Sequence, residues 1–320
     1  LRVPEELTRF LIKGKTFFIS THVNPEGDAL GSSIALGKAL ESLGKVVFLY
    51  DRDVVPDFLR FLPGSENFNN SYPPSLVSSI PLILLDCNNI ERAGLTGTEI
   101  PFAAVIDHHE TLRPFGDIKW IEPDAAATGI MVFRLIKEMD VSITREIAVN
   151  LYTAIASDTG TFRYENTSAE VLRICAELTD SGADPAVISN CLYENWSRGR
   201  FKLMTEVLNT LEVRGHIAII HATQEMFQRT RTSAPDTENF SNLPTMMSDI
   251  KLSAFFREIK EGWKISLRSK GDVNVAEVAV LFKGGGHRNA AGYTISSDLR
   301  SGKDELVKVL MERGLVHDNH

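Results

Sequence analysis

His22, Glu26 and Asp28 crowd into the stretch THVNPEGDALGS, directly after the apolar run TFFIS. An imidazole and two carboxylates packed so closely repel or desolvate one another unless something positive sits between them. Two further apolar runs end in the same kind of chemistry: PLILLD in Asp86, and FAAVID in Asp107, followed at once by His108 and His109. One strand-end aspartate reads as a helix cap or a turn residue. Three coinciding strand ends read as a site. Asp158, where a helical stretch exits through SDTG, is a fourth contribution. The inventory His22, Glu26, Asp28, Asp86, His108 and Asp158 mixes oxygen and imidazole donors and holds no thiolate. Such a set suits Mn²⁺ or another hard-to-borderline cation better than a structural zinc. So many carboxylates over-neutralise a single divalent ion, so two ions sharing a bridging carboxylate are expected, with Mn²⁺ preferred.

The elements that must position these side chains alternate along the first half of the chain. KTFFIS, KVVFLY, PLILLD and FAAVID are short, apolar and without regular polar alternation, the pattern of strands covered on both faces in a parallel sheet. DALGSSIALGKALESLG has helical periodicity and a stop at Gly44, DVVPDFLRFLPGSE reads as a short helix, and TGIMVFRLIKEMD and REIAVNLYTAIAS as longer ones. An α/β fold is expected, with a doubly wound, mainly parallel sheet over residues 1–187 that binds ligands beyond the carboxyl ends of its strands. PAVISNCLYENWSRGRFKLMTEVLNTLEVRG reads as largely helical, giving a helical linker over 188–212. Residues 213–320 form a smaller α/β domain with a mixed sheet: HIAIIHAT, DIKLSAFFREI, GWKISLRS and GYTISS are strand-like, VNVAEVAVLF and LVKVLMERG helical. RTRTSAPDTENFSNLPT lacks periodicity and reads as a loop.

Bulk composition narrows the function. The chain has 320 residues, 43% hydrophobic and 24% charged, which is ordinary globular usage. A net charge of −8 argues against a broad electrostatic grip on long nucleic acid, which relies on many Lys and Arg contacts. It leaves room for an anionic substrate held locally by metal. No apolar run approaches the roughly 18 residues of a membrane span. The opening LRVPEELTRFLIKGK has neither an initiating Met nor a signal-peptide core, which points to a trimmed start. Cys87, Cys175 and Cys191 are odd in number and far apart, so thiols in a reducing cytoplasm are expected, with no disulfide framework or zinc ribbon.

These motifs carry a family resemblance. Asp107-His108-His109 is the naming motif of the DHH phosphoesterases, and HVNPEGDALGS resembles their first motif, usually HxxPDGDALGS. LLDCNNIERAG resembles the second motif and SDTGTFRY the fourth, while FKGGGHRNAAGY resembles the glycine-rich signature of the substrate domain that accompanies DHH in one large branch. Order, spacing and both domains match over nearly the whole chain, and the RS–DVN–GGGH series looks most like the nanoRNase/pAp phosphatase proteins of that branch.

The resemblance implies a role for each residue. His22 and Glu26 would hold one metal, Asp28, His108 and Asp158 the other, and Asp86 would bridge them. His109 would touch the scissile phosphate, and Asp107 would orient a neighbouring imidazole. Arg268, Ser269, Gly285, Gly286 and His287 would bind the rest of the nucleotide, with backbone N–H groups of the glycine run approaching phosphate. The implied activity is hydrolysis of short oligoribonucleotides, dinucleotides included, to mononucleotides, and removal of the 3′-phosphate of pAp. Expected partners are short RNA or a nucleotide, with no long duplex and no membrane, and a homodimer is allowed. One position departs from the pattern: Glu26 stands where the family usually has Asp, one methylene longer. The runners-up are a DHH phosphatase of polyphosphate or pyrophosphate, and a nucleotide-binding regulator weakened through Glu26.

Overall fold

Strands form where the apolar runs are continuous, because only a strand buried on both faces has use for them. In the computed structural model, which describes residues 2–72, 74–109, 115–194 and 196–312, the first half contains β1 (Thr16–Ser20), β2 (Val46–Tyr50), β3 (Phe68–Asn69), β4 (Leu82–Leu85), β5 (Ala103–Asp107) and β6 (Ile118–Ile121). Their order is β3-β2-β1-β4-β5-β6 and every pairing is parallel. Side chains alternate between two cores. Phe17, Ile19, Ile83, Leu85, Ala104 and Ile106 enter one, and Phe18, Leu82, Leu84, Ala103 and Val105 the other.

The first core is shared with α1 (Glu5–Lys13), α2 (Gly27–Ser42), α4 (Thr128–Glu138), α5 (Arg145–Asp158) and α6 (Ala169–Asp180); α3 (Pro74–Val77) serves the second through Val77. Helices α2 and α5 approach closely at Gly31, where a Cβ would come within 2.4 Å of the Asn150 carbonyl oxygen. From β1 the chain winds outward through β2 and β3, then returns to β4 and winds the other way. The crevice between the carboxyl ends of β1 and β4 is therefore a topological switch point, where open α/β sheets bind ligands.

By Cα packing the chain divides into two units, Leu1–Asn195 and Trp196–His320, and each is described by itself. The stretch 188–212, expected as one helical linker, is two helices: α7 (Pro185–Tyr193) closes the first unit and α8 (Arg198–Leu208) opens the second, while Glu212 already begins a strand. Glu194 N–H closes α7 on the Asn190 carbonyl, and Ser197 caps α8 by accepting from Arg200 N–H. The short helix expected in DVVPDFLRFLPGSE is only a pair of 3₁₀ turns, Asp57–Leu59 and Ser65–Asn67, separated by Pro63-Gly64.

The second unit holds β7 (Glu212–Arg214), β8 (Ile217–Ala222), β9 (Leu252–Ile259), β10 (Gly262–Ser269), β11 (Gly285–His287) and β12 (Ala290–Ile295) in the order β11-β12-β10-β9-β8-β7. Only β8–β9 is parallel, so the sheet is mixed. Helices α10 (Val275–Leu281) and α11 (Leu299–Glu312) cover one face, and α8 with α9 (Gln224–Thr230) the other. The segment expected as a loop before β9 contains two 3₁₀ helices, Ala234–Thr237 and Phe240–Met246. Residues 313–320 of the expected C-terminal domain lie outside the described residues. Among the described residues no helix is long and apolar enough to cross a membrane.

Candidate metal centre

The carboxyl ends of β1, β4 and β5 converge at the switch point, and three ligand-type triads meet there. They are His22–Glu26–Asp86, Asp28–His108–Asp158 and Asp86–His108–His109, each with its donor atoms within 4.8 Å of one another. Asp86 lies at the middle. One of its oxygens is 3.4 Å from His22 Nε2; the other is 3.4 Å from His108 Nε2 and 3.5 Å from His109 Nδ1. Its φ of +55° is left-handed, a conformation aspartate tolerates at a cost on the order of 1 kcal/mol. That turn lifts the carboxylate off the strand and into the crevice.

Backbone groups fix the rings. His22 Nδ1 lies 3.0 Å from the Val23 carbonyl and His108 Nδ1 3.1 Å from that of Ala125, which assigns the Nδ1–H tautomer to each and aims Nε2 at the crevice. Asp28 sits in the first turn of α2 and is fully buried. Its Oδ2 accepts from Thr128 N–H (2.6 Å), and its Oδ1 from Gly129 N–H (2.8 Å) and Ser32 Oγ (2.9 Å). The amino end of α4 thus caps itself on a carboxylate brought by another helix. Gly129 is needed there, since a Cβ would meet that of Ala154 at 2.7 Å. Thr128 Oγ1 also donates to Asp86 (3.0 Å). Asp158 is the last residue of α5, with Oδ2 3.1 Å from His108 Nε2. Glu26 caps α2 in extended conformation, and its half-exposed carboxylate lies 3.6 Å from His22 Nε2. Asp107 accepts from both the backbone N–H (3.0 Å) and Nδ1 (2.8 Å) of His109, and Asn88 donates to its other oxygen.

Charge is badly balanced without a cation. Burial disfavours the charged form of both imidazoles, yet the adjacent carboxylates win. Asp86 and Glu26 raise His22 to about 11, and Asp158 and Asp86 raise His108 to about 12. Burial, then the charges of Asp86 and Asp158, push Asp28 well above the carboxylate range. Burial also drives Asp158 upward, His108 resists, and it settles at about 6. Asp86 goes the other way: burial would raise it, but His108 and His22 pull it far below the usual range. Despite these short contacts, His22 Nε2, His108 Nε2 and Asp86 Oδ2 are buried and make no aligned hydrogen bond. Buried polar atoms without partners are costly. Atoms that converge in this way, from nitrogen and oxygen donors alone, fit divalent cations.

Sequence reasoning missed Thr128, Gly129, Ser32 and Asn88, which hold the carboxylates in place. It also missed two more strand-end acids: Asp51 after β2 and Glu122 after β6, both buried. The apolar runs KVVFLY and IKWI ahead of them were the available signal. Arg268, Ser269, Gly285, Gly286 and His287 lie in the second unit. Arg268 pairs with Ala290, which pairs with His287, so the three share one row across β10, β12 and β11. The glycine run is an edge strand, with Gly286 at a φ of +144° that suits only glycine. Ser269 Oγ donates to the Val273 carbonyl and its N–H to that of Asn289, tying the strand end to the β11–β12 turn.

A doubly wound sheet with Asp-His-His at one strand end, followed by a mixed-sheet domain with a glycine-rich edge, defines a class of phosphoester hydrolases. The chain belongs to that class, the DHH family: the family's N-terminal domain matches residues 16–155 and the DHHA1 domain residues 220–313. A Thermus thermophilus relative named bifunctional oligoribonuclease and PAP phosphatase NrnA is 35% identical over 299 residues, covering 92% of this chain and 89% of its own. The Bacillus subtilis protein of the same name is 26% identical over 310 residues, covering 91% and 93%. The crystal structure of a Bacteroides fragilis protein described as exopolyphosphatase-related matches with a TM-score of 0.88 at 31% identity, over 96% of this chain and 94% of that one.

Proposed function

We propose that this hydrolase uses two divalent ions, Mn²⁺ preferred, to cleave short oligoribonucleotides to mononucleotides and to remove the 3′-phosphate of pAp, in the cytoplasm. The observation that carries the reading is the position of Asp86, with one oxygen toward His22 and the other toward His108 and His109. In this reading His22 and Glu26 would hold one ion, Asp28, His108 and Asp158 would hold the other, and Asp86 would serve both. Divalent ions bound there would supply Lewis acidity to lower the pKa of a water molecule and positive charge to offset that on the phosphoryl oxygens.

The chain's own residues supply position. Thr128 and Gly129 N–H keep Asp28 oriented, and the Ala125 carbonyl keeps His108 Nε2 turned inward. Asp107 fixes His109 through ring and backbone together, which suits a ring that hydrogen-bonds the reacting phosphate. The row of Arg268 and His287, with Ser269, Gly285 and Gly286, selects a nucleotide. The names of the Thermus and Bacillus relatives support this substrate class. A polyphosphate or pyrophosphate phosphatase is the second reading, and the description of the Bacteroides structure as exopolyphosphatase-related favours its polyphosphate form.

The test is product analysis on 5′-labelled RNAs of graded length, with pAp, pyrophosphate and polyphosphate as parallel arms, in the presence and absence of Mn²⁺. Mn²⁺-dependent release of mononucleotides from the shortest RNAs, with phosphate release from pAp, is expected. Turnover confined to the inorganic arms would replace this reading with the second.

A further inference from the structure

Among the six residues proposed as ligands, Asp158 alone stands at the C-terminal end of a helix. It is the last residue of α5, where the helix dipole disfavours a carboxylate and where helices fray. The chain closes the helix at once: Gly160 N–H donates to the Ser157 carbonyl (3.2 Å) and Thr161 N–H to that of Ala156 (2.7 Å), the paired bonds of a Schellman motif. That motif asks for one left-handed residue, and Gly160 supplies it with φ +56°. Here the left-handed run continues through Thr161 (φ +56°) and Phe162 (φ +65°). A β-branched residue at positive φ is an outlier that persists only when its surroundings over-determine it.

The surroundings are visible. Arg163 Nε donates to the Gly160 carbonyl (2.7 Å), Asn166 Nδ2 to that of Asp158 (3.1 Å), and Phe162 packs edge-on against Tyr152. A further clamp comes from far along the chain: Thr161 Oγ1 donates to the Tyr193 hydroxyl at 2.8 Å. Tyr193 is the last residue of α7 and is part-exposed, so its hydroxyl is not needed to satisfy the core. None of the four metal-centre motifs contains it.

We propose that Tyr193 is a positioning residue for the metal centre, its hydroxyl holding Thr161 in the strained turn that keeps Asp158 against His108. The inference rests on the reading of Asp158 as a ligand. It also gives the clamp a place in the chain: Tyr193 stands just before the division between the two units at Asn195 and Trp196. Thr161 and Tyr193 both belong to the first unit, so the clamp lies wholly within the body that holds Asp158.

The test compares the parent with Tyr193→Phe, Thr161→Val and Thr161→Ser in the full chain. Free Mn²⁺ is followed by electron paramagnetic resonance through a titration, and metal-free melting is followed by calorimetry. Tyr193→Phe should raise the Mn²⁺ concentration that half-fills one of the two sites roughly five-fold, the size that one lost hydrogen bond supports. Thr161→Val should do the same, Thr161→Ser should titrate as the parent, and the double variant should fall no further than either single one. Melting should move little, whereas a merely structural role would lower melting and leave the titration alone. If Thr161→Val does not fold, Tyr193→Phe decides the matter. A Tyr193→Phe protein that titrates as the parent, or losses that add in the double variant, overturns the clamp. A parent that binds no Mn²⁺ overturns the metal reading itself.

Discussion

Replacing Asp86 with Asn keeps the size and shape of the side chain and removes the charge that His22 and His108 face. The Asn oxygen can still accept from Thr128 Oγ1, and the residue's backbone N–H keeps its bond to the Ile106 carbonyl. Asn also tolerates the left-handed φ of +55°, where Ala would add roughly 1 kcal/mol of strain. The fold should therefore survive, with melting within about 4 °C of the parent. The chemistry should not. Removing an outer partner of a metal ligand already costs about 10- to 100-fold in affinity or activity. A carboxylate with one oxygen toward each group of imidazoles should cost both ions, so kcat/KM should fall on the order of 100-fold or more. The assay is mononucleotide release from a short labelled RNA across a Mn²⁺ series, with pAp in parallel. Parental turnover by Asp86→Asn at any Mn²⁺ concentration would refute the shared-ligand argument.

Glu26→Asp keeps the charge and should retain substantial activity, whereas Glu26→Gln, of equal length and neutral, should lose most of it; Mn²⁺ titration of activity decides between them. In the metal-free protein His22 and His108, raised to about 11 and 12, both carry a proton at neutral pH. An imidazolium cannot ligate, so ion binding should release protons and apparent affinity should climb as pH rises. Calorimetry in buffers of different ionisation enthalpy measures this, and identical heats in all of them would contradict it. Arg268→Ala should raise KM for short RNA while leaving hydrolysis of a minimal generic phosphodiester nearly unchanged, and equal losses on both substrates would undo the assigned division of labour.

What could be read from the sequence was whatever a residue announces by its own type and neighbours. The runs TFFIS, PLILLD and FAAVID announce buried strands, and the polar residues closing them are those that the structure gathers at one edge. What holds them there was not legible. Asp28 is oriented by backbone N–H groups about a hundred positions away, at Thr128 and Gly129, and a backbone donor has no letter of its own. Strand β3 has two residues and takes its pairing from β2, with no pattern to betray it. The break between α7 and α8 was missed because helix propensity sums over a window, while a cap such as Ser197 acts at one position.

The way Asp28 is held has a consequence for how the enzyme meets its metal. Asp28, a proposed ligand that also caps α4, is held by backbone N–H groups of the chain itself, and His108 by the Ala125 carbonyl. These two side chains are therefore oriented by the chain's own hydrogen bonds, unlike the ligands of a zinc finger, where metal binding and folding are one event. Loading and loss can proceed on a finished protein, so exchange of one divalent ion for another does not require the chain to be made again. Which divalent ion the enzyme carries is then set by supply and by ligand chemistry at the moment of use, and a change in supply would register as a change in activity without new synthesis.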